Sequence, residues 1–401
     1  MIIRNSYIQK IEPFIGKPVI KVITGMRRTG KSTFLQMLIR QLITNGVSES
    51  RILWINKESV EFDSIRDYLD LYRYVTDRFK TGSETNYLFV DEVQQIENWE
   101  KAIASFLSDN VADVFITGSN AKIFSSELAT LLSGRYVEFP IYPLSFQEFL
   151  LFRTKLNIVL NQEDEFALYL KYGGLPGIHA LEMQDETVFQ YLNAIFSTIL
   201  LKDVVSRNRI RDVGLLEKIV RFVFDNCGNV TTAKGIADYL KNQKTDVSTD
   251  TILNYLSNLQ SAYLIQKTPH FDLKGKKHLD FNDKYYLGDI GLRHSILGYR
   301  DRDISGLLEN VVYLELLRRG YHIFIGKQNG REIDFVAEKT NERIYLQVCY
   351  LLADQSTIER EFVPLEKIAD NYPKFVLSMD KIGISERNGI FRKNLIEFLL
   401  E

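Results

Sequence analysis

The sequence predicts an α/β chain: a parallel sheet wrapped by helices and closed by a helical lid, then two smaller domains. Three observations carry this expectation. Apolar Val19, Ile20, Val22 and Ile23 run into Gly25, Met26, Arg27, Arg28, Thr29, Gly30, Lys31, Ser32 and Thr33, a Gly-x4-Gly-Lys-Ser phosphate-binding loop between a strand and a helix. A second apolar run, residues 87–90, ends in Asp91 and Glu92. Beyond residue 205 the periodicity changes, first to three closely spaced helices and a hairpin, then to a helix with alternating strands.

The loop glycines let backbone N–H groups converge on an anion. Phe34, Leu35, Leu38, Ile39 and Leu42 mark an amphipathic helix from Lys31, so a helix N-terminus faces the phosphates. Lys31 is expected at the β/γ-phosphates of ATP and the Ser32 hydroxyl on Mg²⁺. Arg27 and Arg28, inside the loop, either touch phosphate or are solvated. A second strand is expected at 51–56 and a helix from about 63 to 80. The strand ending at Asp91 places that carboxylate at the sheet edge beside the loop, to hold Mg²⁺ through water or Ser32, and puts Glu92 where it can activate the attacking water. Residues 114–117 form a further strand. After it Thr117, Ser119 or Asn120 is a candidate partner of the γ-phosphate or lytic water, or Ser119 or Asn120 caps the next helix. Arg135 precedes another strand, as a transition-state arginine from its own or a neighbouring subunit, or as a surface ion pair.

Composition limits the function. The 401 residues are 45% hydrophobic and 25% charged, with a net charge of −2. That suits two or three globular domains and argues against a molecule that coats nucleic acid or anionic lipid. Two cysteines, Cys227 and Cys349, make no disulfide framework and point to a reducing, cytoplasmic setting. The N-terminus lacks a signal-peptide pattern and no apolar run is long enough to span a bilayer, so no membrane partner is expected.

Residues 25–32, 87–92, 118–120, 133–135, 143–149 and 172–176 together resemble a prokaryotic AAA-type ATPase family. It is similar to the archaeal ATPases of the origin-recognition class and carries a C-terminal domain of uncharacterised function. The resemblance implies an AAA-like P-loop NTPase core. It also implies a polar sensor at Asn120, an arginine finger at Arg135, and a Gly173-Gly174-x-Pro176 turn leading to a lid helix at about 188–205. That turn also reads simply as a helix breaker. The expected domains are an ATPase domain at 1–205 (core about 1–150, lid about 151–205), a winged helix at 206–300 and an α/β domain at 301–401.

In the middle segment the helices fall at about 215–227, 232–242 and 248–263, and short strands come after them. This is the winged-helix order. Thr251, Asn254 and Tyr255 lie on the groove-reading helix, and Lys274, Lys276 and Lys277 at the hairpin tip. Residues 205–300 carry fifteen Lys/Arg against ten Asp/Glu, a footprint for duplex DNA phosphates. The alternative is a protein-contact module whose lysines are solvated. The C-terminal order resembles the restriction-endonuclease-like fold. Glu309 and Asp334 fit its two acidic places, but the third reads Gln347-Val348-Cys349, without the second carboxylate and the lysine. Glu332 shares a strand face with Asp334. A degenerate, non-catalytic domain is expected.

The sequence therefore predicts an AAA-type ATPase whose turnover of ATP with Mg²⁺ moves the later domains, acting on DNA or a protein partner, with a homo-oligomer as one option. The alternatives are a nucleotide-gated switch with little turnover and, behind it, an ATP-gated nuclease.

Overall fold

The computed structural model describes residues 2–79, 84–121, 132, 134–158, 161–275, 277–300, 304–328 and 330–401, and at 277–282 the backbone alone. The chain divides into two compact units, residues 1–141 with 261–263, and 142–260 with 264–401.

The first unit is built on five parallel strands: β1 (Ile20–Thr24), β2 (Ile52–Asn56), β3 (Tyr87–Asp91), β4 (Asp113–Thr117) and β5 (Tyr136–Pro140), in the order β2-β3-β4-β1-β5. Strand alternation divides the apolar side chains between two faces. Val22, Leu88, Val90, Val114 and Ile116 point to one side. There they meet α3 (Tyr68–Thr76) and α4 (Trp99–Ser108) through Leu71, Val75, Ile103 and Phe106. Ile23, Phe89 and Phe115 point to the other. They pack on α1 (Asn5–Ile11) and α2 (Lys31–Thr44) through Tyr7, Ile11, Phe34, Leu35 and Leu38. Helix α3 is shorter than the pattern over 63–80 suggests, because the Asp67 carboxylate accepts from the N–H groups of Leu69 and Asp70 and starts it there. Lys21, fully buried mid-strand, is paired with Asp113, which also accepts from the Gly16 N–H at 2.7 Å.

In the second unit Ser145 and Glu148 form a reciprocal cap on α5 (Phe146–Lys155). Then come α6 (Gln162–Tyr172) and α7 (Asp185–Thr198), which continues as a π-helical stretch, Ile199–Ser206. By length and composition alone Asp185–Ser206 is long and apolar enough to cross a membrane, though polar residues interrupt it; 44% of its apolar window is buried within the protein. At the Gly173-Gly174 turn a side chain on either glycine would strike Asp289 or Leu144, and the Gly174 N–H donates to Asp289 at 2.8 Å. The turn is thus both a helix end and a close packing point.

Helices α8 (Val213–Asp225), α9 (Ala233–Asn242) and α10 (Thr249–Ser261) fall within two residues of the expected bounds, with β6 (Val230–Thr231) between the first two. The hairpin is β7 (Ile265–Asp272) and β8 (Lys277–Leu287), and α11 (Ile290–Leu297) packs on α6 and α7. Next come α12 (Ile304–Arg318), β9 (His322–Gln328), β10 (Arg331–Lys339), β11 (Glu342–Val348), α13 (Gln355–Glu366), β12 (Lys374–Ser378), β13 (Glu386–Arg387), β14 (Ile390–Asn394) and α14 (Leu395–Leu400). Between β9 and β10 the sequence reads Asn329-Gly330, a hairpin-turn pair, of which Asn329 lies outside the described residues.

The domain border expected at 300 does not separate two compact bodies. Strand β7 pairs in parallel with β9, His270 opposite Ile325, and one nine-stranded sheet runs β13-β14-β12-β11-β10-β9-β7-β8-β6 among the described residues. The hairpin is therefore built into the C-terminal sheet. A parallel pairing across more than fifty residues has no local signature.

His179 sits in the core of this unit, edge-on to Phe149 at 4.7 Å between ring centroids, and neither ring nitrogen has a hydrogen-bond partner among the described residues. Burial, reinforced by Arg153, pushes its pKa down to about 4. A base depressed on folding binds its proton only in the unfolded chain between about 6.5 and 4. Its stabilisation is thus complete above pH 6.5 and is lost as pH falls through that window, up to about 3 kcal/mol. Urea unfolding from pH 7 to pH 4 should show this slope. His179→Phe should remove that part of it while leaving the carboxylate contribution, and equal slopes would contradict the assignment.

Candidate functional site

The loop expected to cradle phosphate leaves the carboxyl end of β1. Gly25 has φ 135° and Gly30 φ 98°, backbone that side-chain-bearing residues rarely adopt, and a Cβ on Gly25 would overlap the Ile141 carbonyl. Arg28 is also left-handed, with φ 70°. Met26 and Thr29 are buried, and the Thr29 hydroxyl donates to the Met26 carbonyl at 2.9 Å. The Lys31 ammonium, 4% exposed, donates to the carbonyls of Gly25 (2.9 Å) and Met26 (3.0 Å), so the loop closes on its own lysine. Ser32 is half-buried in the first turn of α2, Thr33 is exposed, and Arg27 pairs with Glu58 at 3.1 Å.

Asp91 and Glu92 reach the same sheet edge, but not directly beside the loop. Strand β4 lies between β1 and β3 and holds them about 10 Å apart. The gap carries chemistry. Thr117, at the end of β4, donates to Asp91 and accepts from the Glu92 N–H at 2.9 Å. One hydroxyl therefore ties both acidic residues to the strand next to the loop. Glu92 is 6% exposed and left-handed (φ 54°). Its Oε2 accepts from the Ser119 hydroxyl at 3.3 Å and from the Gln94 side-chain amide. Asn120 is buried just beyond.

Residues 17–150 match the AAA domain family, and residues 163–303 match a domain of unknown function. Over its whole length the chain is 36% identical to an uncharacterised protein of Haemophilus influenzae, 99% of which it covers. The chain belongs to that protein's family. An uncharacterised protein of Methanocaldococcus jannaschii is 31% identical over 95% of this chain and 86% of its own. The Walker-type ATPase PABY2304 of Pyrococcus abyssi superposes with a TM-score of 0.53 at 15% identity, over 74% of this chain and 96% of that one, a likeness of fold alone.

The AAA domain does not bring Arg135 to its own phosphate loop. Arg135 precedes β5 and its carbonyl accepts from the Ile20 N–H, at the amino edge of the sheet. Its exposed side chain reaches Ser108 at 3.4 Å, and about 13 Å of β1 separates it from the loop. The expectation of an arginine finger from within the same subunit is corrected. In a parallel sheet, residues that enter a strand lie at the opposite edge from loops that leave one. Residues 122–131 and 133, where the helix after Asn120 was expected, lie outside the described residues.

Sequence reasoning missed Gln94 and Arg4, and it named Thr117 for phosphate or water and not as the clamp on Asp91 and Glu92, a contact between separate strand ends. Gln94 meets Glu92 through the turn after β3. Arg4, buried at the start of α1, donates to the Thr29 carbonyl at 3.2 Å and lies over the Tyr7 ring at 4.4 Å. Nothing at the N-terminus of the sequence flags it.

In the second unit α10 exposes Asn254 and Leu253 and has no lysine or arginine anywhere along it, while Thr251 and Tyr255 are half-buried. At the hairpin Lys274 is exposed, Lys276 lies outside the described residues, and Lys277 opens β8.

The nuclease-like positions do converge, in a cavity of about 900 Å³ lined by Glu309, Glu332, Asp334, Gln347, Arg360 and Glu361, with other side chains. Gln347 does not face the cavity as a bare ligand. Its carbonyl oxygen accepts from the Asp334 N–H at 2.7 Å and its amide donates to Glu361 at 3.0 Å. The cation absent from the Gln347-Val348-Cys349 strand comes from elsewhere: the Lys284 ammonium bonds Glu332 at 2.5 Å and Glu309 at 3.4 Å. Burial alone would depress Lys284, but Glu309, Asp334 and Glu332 outweigh it and hold it charged. Burial and then Glu309 push Asp334 well above the usual carboxylate range, and burial raises Glu309. Among the described residues no three His, Cys, Asp or Glu side chains form a metal-holding group.

Proposed function

We propose that this protein binds ATP with Mg²⁺ in its AAA domain, hydrolyses it, and transmits the cycle to its second unit. The observation that carries the reading is the pairing of Asp91 and Glu92 through Thr117 at the sheet edge where the Lys31 loop opens. Lys31 leaves its loop carbonyls for the β/γ-phosphates, and the backbone N–H groups entering α2 take the remaining phosphate charge. The donor set fits magnesium: a Ser32 hydroxyl and the Asp91 carboxylate are hard oxygens, and this ion asks for one or two protein groups besides phosphate and water. When bound, Mg²⁺ neutralises charge developing on the phosphates. Glu92 takes the proton of the attacking water, Asn120 senses the γ-phosphate, and Arg135 acts only across a subunit boundary.

For the second unit, α8, α9, α10 and the hairpin suit a winged-helix arrangement. A helix without cations favours contact with a protein, or with DNA backbone through the hairpin lysines, over reading of base edges. The C-terminal α/β region suits a restriction-endonuclease-like fold that has lost catalysis, with Lys284 compensating the carboxylates that a metal would otherwise need to hold. A nucleotide-gated switch is the second reading, favoured by the bonds that already engage Glu92.

ATP hydrolysis by the purified chain, with and without Mg²⁺ and duplex DNA and across a range of protein concentrations, tests the proposal. Magnesium-dependent turnover is expected, steeper than linear in protein if Arg135 is supplied by a neighbour. Nucleotide binding with no turnover at any concentration would leave the switch. DNA affinity carried by the hairpin lysines would fall by about 0.9 log units per phosphate contact for each tenfold rise in salt.

A further inference from the structure

We propose that Gln94 is a second positioning group for the attacking water, working beside Glu92; this rests on the ATPase reading above. The chain leaves β3 through the left-handed Glu92 and at once makes a 3₁₀ turn, Val93–Gln95, closed by the Gln95 N–H on the Glu92 carbonyl at 3.0 Å. That turn folds the Gln94 side chain back onto the Glu92 carboxylate. A carboxylate only accepts, so the amide nitrogen of Gln94 has to face it, and the orientation of the carboxamide is fixed by chemistry. Its carbonyl oxygen is then the atom left over. That oxygen is buried and has no hydrogen-bond partner among the described residues. A buried acceptor without a donor is unfavourable, and such atoms are regularly satisfied by an ordered water or a ligand.

The water that Glu92 would activate offers two hydrogens. Oε2 of Glu92 is already engaged by Gln94 and Ser119, which leaves Oε1 for the proton in flight. One O–H of the water points at Oε1 of Glu92 and the other at the orphaned oxygen of Gln94. With both hydrogens directed, a lone pair of the water is directed too, towards the γ-phosphorus. In the step itself one O–H bond breaks and its proton passes to Glu92. The water oxygen bonds to phosphorus while the bond from phosphorus to the departing ADP oxygen opens. The second O–H stays intact on Gln94, which neither gains nor loses a proton.

The test compares wild type, Gln94→Leu, Gln94→Met and Glu92→Gln by affinity for a fluorescent ATP analogue, single-turnover hydrolysis and thermal unfolding. Both Gln94 variants should hold nucleotide affinity and unfolding temperature while losing on the order of ten- to a hundredfold in the single-turnover rate, the effect of a misdirected water. Rates equal to wild type, or losses of rate, affinity and unfolding temperature in step, would overturn the inference. If wild type turns over and the Gln94 variants match it, this inference alone fails. If wild type binds ATP and does not hydrolyse it, the ATPase reading fails and this one with it.

Discussion

Replacing Lys31 with Ala should weaken ATP binding by on the order of 10²–10⁴-fold, the loss of two charge-assisted contacts of about 1.5–3 kcal/mol each. In the protein as it stands the ammonium sits on the carbonyls of Gly25 and Met26 inside the loop. It is already desolvated and already at the mouth where phosphate would enter, so little ordering is required for it to change partners. The Ala variant also leaves those two carbonyls without their donor, and a loop that simply misfolds would lose affinity for a different reason. Lys31→Met leaves the same carbonyls undonated but keeps the aliphatic stem, so it controls for packing, and the unfolding temperature of both variants reports whether the loop holds. Equal affinity losses in both variants, with an unchanged unfolding temperature, would assign the effect to the ammonium. Wild-type affinity in either variant would contradict the phosphate-cradle assignment. Titration calorimetry with ATP, and with ADP as a control lacking the γ-phosphate, reads the difference directly.

What the sequence made legible was local. The loop from Gly25 to Thr33 and the strand into Asp91 and Glu92 are contiguous, and their backbone demands appear as glycines and apolar runs. The helix bounds in the middle segment came out within a few residues, since amphipathic periodicity and capping residues such as Asp212 and Thr232 sit beside each other in the chain. The failures are contacts between distant segments. The placement of Thr117 depends on β4 entering the sheet between β1 and β3, which no short pattern encodes. The merger of the hairpin with the C-terminal sheet needs β7 to find β9. Lys284 was legible only as one of many basic residues, because its role is set by Glu309 and Glu332 arriving from later elements. Strand β14 carries Arg392, Lys393 and Asn394, a polar run that disguises it. Arg135 was different, since the rule that parallel strands share one carboxyl edge could have placed it from sequence alone.

Replacing Glu92 with Gln should leave ATP affinity close to wild type and reduce turnover by about 10²–10⁴-fold, the contribution of a positioned general base. The surroundings make this a clean substitution. The carboxamide oxygen of the new side chain can still accept from Gln94 and Ser119, so the 3₁₀ turn and the left-handed backbone at this position lose no partner. Thr117 binds the backbone N–H of residue 92 and not its side chain, so Asp91 keeps its clamp as well. What disappears is the second lone-pair-bearing oxygen able to take a proton. The change should therefore fall on the rate of the chemical step, with ATP accumulating on the protein. Single-turnover hydrolysis of radiolabelled ATP, read beside binding, checks it. If the variant and wild type hydrolyse at the same rate, another group removes the proton. If both bind and neither hydrolyses, the bonds that hold Glu92 keep it idle, and the protein works by binding nucleotide and not by spending it.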